Sequence, residues 1–337
     1  MSMMQMLLGV GGAGETIADW FATKVYTGST SPVTVNNGLD MVGKEGLVWM
    51  KGTSDNNRSH ALVGSKGSKG GDWYGWLESH SNSADGSASS QYVSPTSNGF
   101  TINNGSLFFN PDGETMVSWT FLKAEKFFDI IEYQGDAPTE QTLSHGLGCL
   151  PGMIMVKKYD PNGTLRDWCV YHKHMDGANS KDNFMHLNTD DGTVTSTQTW
   201  ANTDPTTTTF KIGNDDDAND ASGYGNLEYV AYLFADDEDY IKCGAFTAPG
   251  NGTHTVDLGW EPQFLLYKTT DRAGDWKMID TVRGWTSGGT VERICANTRD
   301  AEVEKTNYIS LNNDGFTTSS VGVLMGDYIY MAIRKAD

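Results

Sequence analysis

The chain has 337 residues, 38% hydrophobic and 11% aromatic, with 39 glycines, 9 prolines and a net charge of −19. This composition supports packed cores, excludes a disordered chain, and fits more than one domain. Such an excess of acid argues against a nucleic-acid partner, because phosphate binding needs concentrated Lys and Arg.

The N-terminus "MSMMQMLLGVGGAG" is apolar, lacks a basic n-region and is too short to span a bilayer. No membrane insertion is expected, and synthesis in the cytoplasm follows. Residues 1–23 read as a leader and attachment segment. Met3, Met4, Met6, Leu7, Leu8 and Val10 carry more apolar surface than an exposed tail should, and Met fills irregular grooves. "GVGGAG" then gives backbone freedom before Trp20 and Phe21. The competing reading is a strand of the first domain.

Next come three versions of one phrase. "KVYTGSTSPVTVNNGLDMVGKEGLVWMK" starts at Lys24, "IEYQGDAPTEQTLSHGLGCLPGMIMVKK" at Ile131 and "GAFTAPGNGTHTVDLGWEPQFLLYKT" at Gly244. Each runs from an aromatic residue through a Gly-containing turn and a polar strand to an apolar run that reaches a lysine: Lys51, Lys157 or Lys268. "YVSPTSNGFTI", "WANTDPTTTTFKI" and "YISLNNDGFTT" follow, and "MVSWTFLKA", "YVAYLFADD" and "YIYMAIRKA" close the units. The period, about 105 residues, is too long for a solenoid and long enough for a self-contained core.

Short strand candidates between turn signals, without a convincing helix, predict an all-β protein. The economical architecture is three tandem homologous antiparallel β-sandwich domains, jelly-roll or lectin-like, over 24–127, 128–239 and 240–337. "YVAYLF" is apolar on both faces and belongs in the middle of a sheet. The connections "EKFFDII" and "DDEDYIKC" are not flexible linkers, so the domains should be held stiffly, as a rod or a compact trefoil.

Enzyme motifs are missing: no G-x-S-x-G, P-loop, dinucleotide fingerprint or H-E-x-x-H occurs. No catalytic residue and no cofactor is expected, and abundant carboxylates alone do not locate a glycosidase pair. Cys149, Cys169, Cys243 and Cys295 have neither zinc spacing nor a disulfide framework and read as buried thiols. His172 and His174 alternate and could meet a metal with Asp176; a strand edge is the simpler reading. In "NDDDANDASG", Asp215, Asp217 and Asn219 open a calcium-loop pattern, but Asp220 replaces the required glycine and the twelfth position lacks Glu. A solvated loop competes with calcium there. In "GGDWYGWLESH", alternation puts Trp73 and Leu77 on one face and Tyr74 and Trp76 on the other. The repeat sets Trp76 opposite Phe184 and Arg293. Tyr74 and Trp76 are the binding candidates, for a subunit interface or a sugar ring, with partly buried packing as the alternative.

The leader "MQMLLGVGG", "GLVWMK", "PGMIMVKK", "DWKMIDTVRG", "NNDGFT" and "YIYMAIRK" carry a resemblance over nearly the whole chain. It resembles repeat proteins of marine tailed bacteriophages, cyanophages among them, described as virion structural or tail-fibre-like. "HALVGSKG" and "CVYHKHMDG" depart from the "DTVRG" phrase in the first and second units. The resemblance implies a virion component on the tail or an exterior fibre or decoration. Its partners would be other virion proteins, copies of itself (a trimer being one form) and host surface glycan. Alternatives are a capsid decoration or head-fibre protein, a carbohydrate-binding module, and a glycan depolymerase.

Overall fold

The computed structural model describes residues 16–336, apart from 106, 176, 178 and 222–226. Met3, Met4, Met6, Leu7, Leu8 and Val10 lie outside the described residues, as does Asp176. The fold is all-β and antiparallel, the longest α-helix among the described residues being the single turn Asp216–Asn219.

Three wide sheets repeat one strand order. The first runs Phe21–Thr27, Thr115–Leu122, Gly46–Gly52, Ala61–Gly64. The second runs Phe128–Gln134, Glu228–Ala235, Pro151–Lys158, Cys169–His172, Asn183–His186, Val194–Thr195. The third runs Ile241–Ala248, Gly326–Arg334, Pro262–Thr269, Lys277–Asp280, Val291–Cys295, Val303–Lys305. In each segment (21–122, 128–235 and 241–334) the opening strand pairs with the closing one. The three apolar runs ending in lysine hold the third place, and "YVAYLF" has a partner on either side.

Narrow sheets accompany them: Val33–Asn36, Gly99–Ile102, Val93–Thr96 in the first segment and Thr253–Asp257, Gly315–Ser319, Ile309–Asn312 in the third. "SNGF" and "NDGF" make the hairpins. Gly99 and Gly315 have φ of 132° and 153°, and an added Cβ would lie 2.1 and 2.0 Å from the carbonyls of Val35 and Val256. The second segment, with "TTTTF" in place of this turn, has a two-stranded narrow sheet, Gln141–Ser144 with Thr209–Ile212.

Because side chains alternate along a strand, the apolar runs of the first and third segments each serve two cores, whereas Met153, Ile154, Met155 and Val156 of the second all lie in one. Val48 and Met50 face the first segment's own core with Val35 and Phe100, and Leu265 and Tyr267 face the third's with Val256 and Phe316. Leu47, Trp49, Met153, Met155, Phe264 and Leu266 turn the other way, into one core common to all segments. Phe121 lies 5.4 Å from Phe234 and 6.3 Å from Phe264, and Phe21 lies 5.7 Å from Phe264, between ring centroids. Each such side chain contributes about 1.5–3 kcal/mol on burial, so the segments are held by core packing rather than by linkers. The arrangement is closed, not a rod. Ile17, Trp20 and Phe21 belong to the common core, so the packed chain begins ahead of the boundary at residue 24 that the repeat suggests.

Candidate functional site

The polar contacts made between the segments by the recurring lysines, and by the Trp or His that immediately precedes the strand beside them, run in one direction around the ring. From the second segment, Trp168 Nε1 donates to Glu78 O at 3.0 Å and Lys157 Nζ to Asn82 O at 2.9 Å, both in the first. From the third, Trp276 Nε1 donates to His186 O at 2.9 Å and Lys268 Nζ to the carbonyls of Asp190 and Asp191 at 3.2 and 2.7 Å, all in the second. The first segment closes the ring onto the third. Lys51 Nζ donates to Arg299 O at 3.3 Å, and His60, standing where the others have Trp, places Nε2 3.0 Å from Cys295 O. Trp49 Nε1 donates to His60 Nδ1 at 2.9 Å, so the proton of the neutral ring sits on Nε2. Burial, helped by the Lys51 ammonium, holds His60 well below the usual histidine range. Burial also pulls Lys51 and Lys268 down to about 8 and Lys157 to about 7.

A further tie joins the first and third segments. Trp119 Nε1 donates to Asp280 Oδ2 at 3.0 Å, and that oxygen accepts Arg283 Nε at 2.7 Å. Asp280 and Arg283, from the "DTVRG" phrase, are both buried, and the guanidinium lies 5.2 Å from the Trp119 ring centroid.

A cleft of about 670 Å³ opens between the second and third segments. His174, Thr193, Thr247, His254, Asp271 and Asp327 line it, with the largely buried rings of Phe246 and Tyr328 behind. Asp327 Oδ1 accepts from Thr247 Oγ1 at 2.7 Å, and Asp271 pairs with Arg272 at 2.8 Å. Such a lining can bind hydroxyl-bearing ligands.

Asp167, His186 and Asp217 bring their donor atoms within 4.8 Å of one another, the donor types that zinc takes. Asp217 belongs to the acidic loop, but Asp215 and Asn219 serve other ends. Asp215 caps the helical turn through Asp217 N and accepts from Thr199, whereas buried Asn219 accepts from Asp136 N and Gln141 Nε2. The three oxygens that suggested calcium therefore have separate protein partners. His172 is buried, with Nδ1 accepting from His174 N and Nε2 3.0 Å from Tyr330 O, so neither nitrogen is free for a metal.

Trp73 and Leu77 are buried, while Tyr74 and Trp76 are half-buried, as the alternation predicts. The Trp76 ring packs edge-on against Tyr92, Phe108 and Phe109 at 5.0, 5.4 and 5.7 Å. Ser59, Glu78 and His80 have the composition of a catalytic relay without its geometry: Ser59 and Glu78 both approach Nε2, and Nδ1 is buried without a partner. Cys169, Cys243 and Cys295 are buried and Cys149 half-buried; burial raises the Cys149 and Cys295 thiols to about 11. The cross-segment contacts of the lysines and the "DW" tryptophans escaped the sequence reading, although the recurrence of lysine at one place in every repeat was their signal.

Fold and contacts define an all-β protein of antiparallel sheets closed around a common core. The chain belongs to the family described as a domain of unknown function (DUF7483), matched over residues 16–336. That match runs through all three segments. A comparison with curated proteins finds no match.

Proposed function

We propose that the chain is a bacteriophage virion structural protein, a tail fibre or exterior appendage that contacts the host surface and acts by binding rather than catalysis. In this reading it consists of three tandem homologous β-sandwich units, assembled with other virion proteins and with copies of itself. The supporting observation is the cyclic set of bonds in which each unit's buried lysine meets carbonyls of a neighbour, and the first unit closes onto the third. A body stiffened in this way suits display of loops to a partner, and the resemblance of the repeated phrases supplies the virion context. The apolar residues of the leader, Met3, Met4, Met6, Leu7, Leu8 and Val10, are its attachment element.

The test is quantitative mass spectrometry of purified particles. A few copies per particle are expected; copies near the capsid number would move the protein to the head as a decoration, and absence from particles would reject the proposal. The cleft favours a second reading, a carbohydrate-binding module, because its hydroxyl and carboxylate lining suits sugar hydroxyls. Glycan-array binding without release of oligosaccharide would support it.

A further inference from the structure

The third segment holds a pocket of about 150 Å³ beside its own core. Tyr267, Arg272, Lys277, Arg293, Tyr308 and the exposed Leu324 contribute to its wall. Strand register assembles it: Tyr267 stands opposite Lys277 and Lys277 opposite Cys295, so that Arg293, two residues before Cys295, shares their sheet face.

Arg272 pairs with Asp271 at 2.8 Å. Lys277 and Arg293 have no carboxylate partner among the described residues. Lys277 Nζ donates to the backbone oxygen of Asp275 at 3.2 Å and lies 5.7 Å from the Tyr267 ring centroid. Arg293 Nη1 donates to Tyr308 Oη at 3.3 Å, and its Nε is buried without a partner. Tyr308 Oη also accepts from Tyr267 Oη at 2.5 Å, which leaves the Tyr308 proton available for a further acceptor.

The other two segments serve as internal controls. Where the third has the cross-strand pair Tyr267 and Lys277, the first has Met50 with Ala61 and the second Val156 with Cys169. Where the third has Arg293, they have Trp76 and Phe184. Only the third segment puts two cations at positions its sisters fill with apolar side chains or a thiol. It does so in a chain of net charge −19. Partly desolvated charges of one sign that no carboxylate contacts directly, Asp275 being only within Coulombic reach of Lys277, are matched by an anion from outside the chain.

We propose that this pocket binds a single oxyanion group, a phosphate or sulfate ester or a carboxylate borne by a larger molecule. Its volume is below the roughly 300–1,000 Å³ of pockets that enclose a whole drug-sized ligand, so a terminal group enters and the rest lies outside against Leu324. The site is independent of any virion role.

The test is calorimetric titration of the full chain with inorganic phosphate, sulfate and acetate, against chloride at matched ionic strength. Saturable binding of at least one oxyanion is expected, and comparison of the three identifies the preferred group. R293F and K277A, which install the residues of the second and first segments, should each weaken binding about tenfold or more, the size of one charged hydrogen bond. Circular dichroism verifies that each variant folds. On the wild-type chain, the preferred oxyanion should protect Lys277, but not exposed Lys24, from an amine-acetylating ester, read by peptide mass spectrometry. No saturable binding beyond chloride, binding unchanged in both folded variants, or no protection of Lys277 would overturn the proposal.

Discussion

Replacing Lys157 by Met tests the cross-segment ring at the lysine whose pKa burial lowers furthest. Lys157 is fully buried, and its ammonium donates to Asn82 O across the seam and to Arg166 O within its own segment. Burial lowers its pKa from 10.5 to about 7, although Asp167 and Asp217 pull the other way. The folded chain therefore releases this proton near neutrality, while the unfolded chain keeps it until about pH 10.5. Between these values the unfolded state binds more protons, so stability from this group rises with pH and is lost again as pH falls through 7. One pKa unit is about 1.4 kcal/mol, so the wild type gains on the order of 3 kcal/mol between pH 7 and pH 10 from Lys157 alone. K157M lacks that gain. At pH 7 two opposing effects nearly offset: two carbonyls lose a donor, at about 1–3 kcal/mol each, and a costly buried charge disappears. Urea unfolding followed by tryptophan fluorescence at pH 7, 8.5 and 10 measures the difference between wild type and variant. The gap should widen by about 3 kcal/mol toward pH 10. A gap that stays constant with pH would refute the reasoning, because it would mean that the carbonyls keep the ammonium charged as fully as water does.

Asp280→Asn should cost about 3–5 kcal/mol in chemical denaturation, because buried Arg283 loses the anion at 2.7 Å; a loss below 1 kcal/mol would show that Glu302 alone suffices. Trp276→Phe keeps most of the buried ring but leaves His186 O without its cross-segment donor, so a loss of about 1–3 kcal/mol is expected. With a common core, Trp276→Phe should also retain one cooperative calorimetric transition, and separate melting of the third segment would count against the closed ring. Trp76→Ala should lower stability by about 2–4 kcal/mol through lost ring packing, while sedimentation velocity shows unchanged self-association. A change in association with no change in melting would return Trp76 to the role of an interface residue.

The all-β class, the places of the three apolar runs and the central position of "YVAYLF" were legible in the sequence. They depend on alternation and turn chemistry, which act over a few neighbouring residues. The candidate site was not legible. Alternation shows that Leu47 and Val48 face opposite sides, yet not that Leu47 joins a core with Met153 and Phe264 while Val48 joins one with Val35. A lysine closing an apolar strand looks exposed, because its acceptors are backbone carbonyls, and carbonyls leave no mark in residue identity. Lys51 finds Arg299 O, and His60 finds Cys295 O, only because the third segment folds back onto the first. The acidic loop shows the same limit: the spacing of Asp215, Asp217 and Asn219 left calcium and a solvated loop both open, and only the helical turn shows which protein groups each side chain meets. Likewise, Lys277 and Arg293 became neighbours through strand register. The sequence by itself determined where strands form and which residues recur. Tertiary structure decided which faces meet and which charges lose water, because those outcomes rest on contacts between residues far apart in the chain.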